Sequence, residues 1–103
     1  MYKDPLLHPG IGNFSDTKIR PCLVLIDAEH DVTVSFITTQ TGWNDPASVA
    51  IKPSQSNGLK KESLFRLNKL ATIDKELIIG TIGKLHPDEM TSINQKLKEV
   101  FQL

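Results

Sequence analysis

An apolar run and a nearby run of alternating polarity constrain the fold of this chain more than any other feature. Residues 21–26, PCLVLI, form a mostly continuous apolar run that predicts a buried strand. The turn-prone residues 27–31, DAEHD, separate it from residues 32–37, VTVSFI, in which valine and phenylalanine occupy every second position. This period of two is typical of a strand with two distinct faces, and the short connection favours a hairpin. We therefore expect an antiparallel two-stranded unit at the centre of the fold.

Shorter β-prone segments follow the predicted hairpin. Residues 48–52, 63–67 and 78–84 have the composition or the alternation of strands, and stretches rich in Gly, Pro, Ser and Asn separate them. The last of these segments contains β-branched residues and two glycines, which fit a bent strand better than a helix. Several short, bent strands favour a small barrel-like sheet.

The C-terminal segment has a helical period instead of a strand period. Its apolar side chains recur at helical spacing: Met90, Ile93, Leu97, Val100 and Phe101. Pro87 suits a first helical position, and the acidic Asp88 and Glu89 complement the positive end of the helix dipole. Short strands followed by one amphipathic helix predict a small α+β fold with a curled antiparallel sheet.

Length and charge limit the classes of protein that this chain can belong to. Its 103 residues suit a single domain spanning residues 1–103, small enough that pairing with a second copy would add useful burial. No apolar stretch approaches the roughly 20 residues that cross a bilayer, and the first residues lack the features of a signal peptide. We expect a cytoplasmic protein without a membrane span.

The chain carries no overall basic signature for nucleic acid, because 12 basic and 12 acidic side chains cancel. Any nucleic-acid site must therefore be local. Two short basic groupings remain, Lys18 with Arg20 and Lys60 with Lys61, although runs of this length are usually solvated surface. Cys22 is the single cysteine and lies in an apolar run, so we expect a buried, inert thiol.

The histidines and carboxylates do not form a recognisable metal-binding motif. No pair of them lies at a ligand spacing, so the sequence predicts no metal and no cofactor. His30 lies in a charged turn and His86 precedes the predicted helix, where surface or capping roles are expected. Among the three histidines, His8 is the better candidate for proton transfer, although a lone histidine more often has another role.

Five segments, in order along the chain, resemble motifs of the MazF/PemK toxin family. Residues 18–25, KIRPCLVL, resemble its K-x-R-P-x-L-V-L strand, and residues 36–40, FITTQ, resemble its I-T-S-Q motif. Residues 58–63, GLKKES, are similar to G-L-K-K-D-S, and residues 71–75, ATIDK, to the R-T-V-D-K turn. Residues 82–90, IGKLHPDEM, resemble I-G-x-L-S-P-E-E-M, which opens the terminal helix in the family. The resemblance implies a small SH3-like barrel with a C-terminal amphipathic helix.

The N-terminal segment departs from the family pattern. Residues 3–9 carry two prolines where relatives have a G-D-I-V-x-V-x-F strand, so any strand there is expected to be short or at an edge. Residues 10–17 are then expected to form a loop that borders the RNA groove in relatives.

The resemblance implies a toxin of a type II toxin–antitoxin system that acts as an mRNA interferase. Such an endoribonuclease cuts single-stranded RNA without a metal, using the ribose 2′-hydroxyl as the nucleophile. Arg20 and Thr38 occupy the motif positions of the family's catalytic arginine and threonine. A guanidinium offers a planar fork of donors to phosphate oxygens, and a threonine hydroxyl adds a neutral donor. Without the resemblance, an ion-paired rim arginine and an ordinary strand threonine are the simpler interpretations.

Other side chains are expected to hold RNA around this pair. Gln40 is a candidate contact to a base edge or a phosphate, and loop aromatics can stack on unpaired bases, although local packing is the simpler role for them. Lysines can hold the RNA backbone electrostatically. The predicted RNA-binding residues are Gln40, Lys18, Phe14, His8, Trp43, Lys52, Lys60 and Lys61.

The expected partners are single-stranded RNA, a cognate antitoxin and a second copy of the chain. The antitoxin is expected to be an extended acidic or apolar segment that covers the groove. Two alternatives stay open at this stage. One is a CcdB-like toxin that binds DNA gyrase without catalysis, and the other is a catalytically degenerate module that still binds an antitoxin.

Overall fold

A computed structural model describes residues 10–15, 19–42 and 45–103. Over these residues the chain forms six strands, a short 3-10 turn and one α-helix. The strands are β1 (Gly10–Ser15), β2 (Ile19–Asp27), β3 (Asp31–Thr38), β4 (Ser48–Ile51), β5 (Ser63–Asp74) and β6 (Ile78–Lys84), and the helix is α1 (Pro87–Phe101). No helix in this part of the chain is long and apolar enough to cross a membrane.

The strands form one antiparallel sheet in the order β4-β5-β3-β2-β1-β6. The hairpin predicted at its centre is confirmed, because β2 pairs with β3 in a register that places Cys22 opposite Phe36. The pairing shifts between Val24 and Ile26, and such bulges increase the local twist of a sheet. The predicted curled antiparallel sheet and C-terminal helix are therefore confirmed.

Strand pairing does not close the described sheet into a barrel, because β4 and β6 remain as its edges. The segment after β4 brings these edges together instead. The backbone N–H of Lys84 in β6 donates to the carbonyl oxygen of Ser56 at 2.8 Å. Gly58 has a φ of 68°, and a Cβ there would collide with the carbonyl oxygen of Ile82. A glycine at position 58 is thus required for this close approach.

The two faces of the sheet carry separate apolar clusters, because side chains alternate along each strand. In β2, Leu23 and Leu25 belong to the main core, whereas Cys22 belongs to the second cluster. The main core is completed by the buried residues Ile93 and Leu97 of α1. Helix packing therefore covers one face only, and the second cluster lies on the opposite face.

The prediction of a loop over residues 10–17 is wrong for Gly10–Ser15, which form β1 between β2 and β6. Ile11 is completely buried in the main core, which stabilises the strand. Gly12 permits close pairing with β6, since a Cβ there would lie 2.8 Å from the carbonyl oxygen of Gly80. The irregular strand expected over residues 3–9 falls outside the described residues.

The strand predicted for residues 63–67 continues to Asp74, so the turn expected at residues 71–75 is wrong for its first four residues. Pairing of Ile73 with Val32 keeps this part of β5 extended. The chain turns only at the 3-10 segment Lys75–Leu77. The predictions for β6 and for the start of α1 at Pro87 are confirmed.

His86 caps α1, as the sequence predicted. The Nδ1 atom of His86 accepts a hydrogen bond of 3.4 Å from the backbone N–H of Asp88. The backbone N–H of His86 donates to Glu89 Oε1 at 2.7 Å. This reciprocal arrangement is a capping box and pairs backbone donors that a helix leaves unsatisfied. Thus His86 has a structural role at the helix start.

Candidate active site

A groove of about 530 Å³ lies at the end of the sheet where β2 begins and β3 ends. We call it the Arg20 groove, and its lining residues are Phe14, Arg20, Pro21, Phe36, Ile37, Thr38, Gln40 and Arg66. Arg20 lies at the start of β2 and Thr38 ends β3, and the antiparallel pairing of Cys22 with Phe36 brings these two strand ends to the same end of the sheet. The predicted catalytic pair and Gln40 therefore lie in one groove.

Local hydrogen bonding orients the Thr38 hydroxyl. The backbone N–H of Gln40 donates to Thr38 Oγ1 at 3.1 Å. A hydroxyl has one donor and two acceptor positions, so accepting this bond leaves its proton available to a ligand oxygen. Arg20 is exposed at the start of β2, where its guanidinium can meet a ligand from solvent. The groove thus combines a charged fork of donors with a neutral hydroxyl donor.

Two stacked aromatic rings support the groove. The ring centroids of Phe14 and Phe36 lie 5.7 Å apart with an interplanar angle of 17°. Phe14 is 4% exposed and belongs to a strand, so its predicted loop location is wrong. Base stacking on Phe14 stays a prediction, and its low exposure favours the packing role instead.

Arg66 is a site residue that the motifs did not identify. It lies in β5, opposite Phe36 of β3 and Ser48 of β4, and its half-buried side chain lines the Arg20 groove. Its Nε lies 3.9 Å from Asp45 Oδ2. The available sequence signal was an arginine within the apolar stretch SLFRL of a predicted strand. The structure therefore adds a second guanidinium beside Arg20 and Thr38.

Asp45 organises the turn that leads into β4. Its Oδ1 accepts a hydrogen bond of 3.0 Å from the backbone N–H of Ala47, and its Oδ2 accepts one of 3.1 Å from the Ser48 hydroxyl. The Ala47 bond is the main reason why the pKa of the Asp45 carboxyl lies below its usual value, with smaller contributions from Ser48 and Arg66. Asp45 thus holds this turn beside Arg66 in its ionised form.

Acid is expected to remove the stabilising contribution of the Asp45 turn. Because the folded pKa lies below the unfolded value of about 3.9, this contribution is fully present above that value and is lost as the pH falls through the folded pKa. Thermal melts of the wild type and of Asp45→Asn between pH 7 and pH 3 should show a Tm difference that shrinks below about pH 4. Asp31→Asn, at an exposed carboxylate, is the control for the general acid response. A Tm difference that stays constant down to pH 3 would contradict this role.

The predicted RNA-binding lysines lie at different places. Lys60 and Lys61 are exposed and line a second groove of about 420 Å³, which we call the Lys60 groove and which shares Pro21 with the Arg20 groove. Lys52 lies in a separate depression between β4 and α1 and is not among the residues that line the Arg20 groove. The structure therefore brings Lys60 and Lys61, but not Lys52, next to the candidate site.

Lys18, His8 and Trp43 lie outside the described residues, so their predicted roles stay predictions.

The remaining titratable residues have structural or surface positions. Cys22 is completely buried, and burial raises the pKa of its thiol to about 11, so the prediction of a buried thiol is confirmed. His30 is exposed in the turn between β2 and β3. Within residues 10–15, 19–42 and 45–103, no three His, Cys, Asp or Glu side chains are grouped as metal ligands.

Comparisons with known proteins agree with this fold. Residues 7–101 match the family model of the PemK-like, MazF-like toxin of type II toxin–antitoxin systems. The chain is similar to the Mycobacterium tuberculosis toxin MazF-mt6, with 25% identity and a TM-score of 0.78 over 91% of this chain and 97% of that one. It is also similar in fold to a mycobacterial endoribonuclease in complex with its cognate antitoxin, with 22% identity and a TM-score of 0.76 over 91% of this chain and 92% of that one. No curated protein sequence matches the chain.

Proposed function

We propose that this chain, which belongs to the family of PemK-like and MazF-like toxins of type II toxin–antitoxin systems, is a metal-independent endoribonuclease. The proposed substrate is single-stranded RNA, including mRNA. Because the protein would act on mRNA, its proposed location is the cytoplasm. The observation that carries the proposal is that Arg20 and Thr38 line one groove with a second arginine, Arg66. Among the described residues, no carboxylate lines this groove, so it suits an anionic ligand.

The Arg20 groove supplies the groups that a phosphate in RNA needs. The Arg20 guanidinium donates two parallel hydrogen bonds to the non-bridging oxygens of the scissile phosphate. The Thr38 hydroxyl donates to one of the same oxygens, since the bond that it accepts from Gln40 N–H leaves its proton available. Arg66 adds positive charge on the side of the groove formed by β5. These donors stabilise the charge that develops on the phosphate oxygens during the reaction.

The proposed reaction is an intramolecular transesterification. The ribose 2′-oxygen attacks the adjacent phosphorus, and the bond between phosphorus and the 5′-oxygen of the next nucleotide breaks. The 2′-hydroxyl loses its proton and the leaving 5′-oxygen gains one, so the products are a 2′,3′-cyclic phosphate and a free 5′-hydroxyl. Because the nucleophile belongs to the substrate, the protein needs only to orient the phosphate and stabilise charge.

Incubation of the purified protein with a long single-stranded RNA in EDTA tests this proposal. We expect discrete cuts that bear cyclic phosphate ends, because the mechanism uses no metal. Thr38→Val, which keeps the side-chain shape but lacks the hydroxyl, should cut about 100-fold more slowly, the usual cost of losing one such donor. Thr38→Ser restores the donor and should recover most of the rate.

Intact RNA across varied substrates would argue against the ribonuclease proposal. It would favour a toxin that acts on DNA gyrase through protein contacts, or a family member that binds its antitoxin without cutting RNA. Cutting that stops in EDTA would instead contradict the metal-independent mechanism.

A cognate antitoxin is the proposed protein partner. The support is the similar mycobacterial endoribonuclease, which forms a complex with its cognate antitoxin. An extended antitoxin segment that occupied the Arg20 groove would exclude RNA from Arg20 and Thr38. We also propose a homodimer, because a domain of 103 residues gains burial by pairing.

A further inference from the structure

The Lys60 groove lies directly beside the proposed phosphate site. Thr38 lines the Arg20 groove and Thr39 lines the Lys60 groove, and consecutive Cα atoms are only about 3.8 Å apart. Pro21 lines both grooves. The shared Pro21 and the consecutive residues Thr38 and Thr39 therefore place the two grooves next to each other at the end of the sheet, where one RNA strand can extend from Arg20 into the second groove.

The chemistry of the Lys60 groove suits a nucleotide. Its rim carries two exposed lysines, Lys60 and Lys61, and in the part of the chain that the structure describes no carboxylate lines it. Two half-buried apolar side chains, Leu59 and Ile82, pack against the main core and offer a surface to the face of a base. The groove thus combines positive charge for a phosphate with an apolar surface for a base.

Asn13 is the polar group in this groove that can read a base. It lies within β1, opposite Pro21 of β2 and Gly80 of β6, although asparagine is disfavoured in strands. Its side chain is half-buried and lines the groove, yet its amide has no hydrogen-bond partner among the described residues. An amide offers both donors and an acceptor, which match the edge of a base.

We propose that the Lys60 groove binds the nucleotide next to the scissile phosphate and that Asn13 determines which base is accepted there. The amide of Asn13 bonds the base edge while Leu59 and Ile82 contact its face. Lys60 and Lys61 hold the flanking phosphate. This assignment rests on the proposed ribonuclease function and extends it to sequence preference.

Mapping of cut sites in a long RNA tests the role of Asn13. Asn13→Asp replaces the amide donors with acceptors at the same size, and Asn13→Ala removes both. We expect the preference at one position beside the cut to change in Asn13→Asp and to weaken about tenfold in Asn13→Ala. Positions further from the cut should keep their preference. An unchanged preference in both variants would overturn the assignment while leaving the ribonuclease proposal intact.

A binding measurement tests the lysines independently of cleavage. The probe is a labelled RNA with 2′-deoxyribose at the cut site, which has no nucleophile there, measured by fluorescence anisotropy over a range of salt concentrations. The double variant Lys60→Ala, Lys61→Ala should bind all sequences more weakly. The slope of log affinity against log salt concentration should become smaller in magnitude by about 1 or more. Lys98→Ala, on an exposed position of α1, is the matched control.

The two measurements separate failure of this inference from failure of the proposed function. If the wild type cuts no RNA, unmodified labelled RNA is the probe, and a loss of RNA affinity in the double variant then means that the ribonuclease proposal fails while the groove assignment stands as an RNA site. If the double variant binds the probe as the wild type does, RNA does not occupy the Lys60 groove and the assignment is overturned.

Discussion

Replacing Arg20 with alanine is expected to lower the rate of RNA cleavage by a factor of about 100 to 1,000. The guanidinium is the exposed, charged donor of the Arg20 groove, and its loss leaves the charge on the phosphate oxygens without its main partner. Because Arg20 is exposed, the fold should not change, and Tm should stay within a few degrees of the wild type. The measurement is the initial rate on a single-stranded RNA, together with a thermal melt.

Arg20→Lys is the matched variant for this prediction. It keeps the positive charge but has no planar fork for two phosphate oxygens, so we expect a rate between those of the wild type and Arg20→Ala. In a bacterial host, Arg20→Ala should also remove toxicity. A folded Arg20→Ala protein that cuts RNA at the wild-type rate, or that stays toxic, would contradict the assigned role.

Replacing Asn57 with alanine is expected to destabilise the fold by about 3 kcal/mol, which for a chain of this size lowers Tm by roughly 15 °C. Asn57 is completely buried, and its side chain makes four hydrogen bonds. Its Oδ1 accepts from the backbone N–H groups of Ser54 and Leu59, at 2.9 and 3.0 Å. Its Nδ2 donates to the carbonyl oxygen of Lys52 at 2.9 Å and to Glu89 Oε2 at 3.1 Å.

The Asn57 effect is large because the hydrogen bonds join separate parts of the molecule. Glu89 is also the capping-box residue of α1, so Asn57 connects the segment after β4 to the start of the helix. Alanine would leave polar groups unsatisfied in a buried place. Asn68→Ala, at an exposed position of β5, is the control and should change stability by less than about 0.5 kcal/mol. The expected fall in Tm is roughly 15 °C, so a Tm for Asn57→Ala within about 3 °C of the wild type would rule out this role.

The parts of the fold that sequence reasoning predicted correctly depend on local signals. The hairpin of β2 and β3 follows from an apolar run, a short turn and an alternating run, all within residues 21–37. The start of α1 follows from Pro87 and its acidic neighbours. Arg20 and Thr38 line the same groove because the hairpin brings the start of β2 and the end of β3 to one end of the sheet, so a match to local motifs was enough to identify both.

The parts that sequence reasoning missed depend on contacts between distant residues. Residues 10–15 look like a glycine-containing loop, and they become β1 only because β2 and β6 pair on both sides of them. β5 extends to Asp74 because β3 pairs along its length. Arg66 reaches the groove through the same pairing, more than 25 residues away from Thr38 in the sequence.

The sequence by itself determined the antiparallel hairpin, the amphipathic helix and the location of Arg20 and Thr38 at neighbouring strand ends, because side-chain periodicity and short turns act over a few residues. Only the tertiary structure decided that Arg66 lines the Arg20 groove, that Asn13 lines the Lys60 groove and that Phe14 is buried. The same holds for Asn57, whose four side-chain hydrogen bonds include one to a residue 32 positions away. These features depend on which strands become neighbours in the sheet, and burial of the core across the whole chain selects that arrangement.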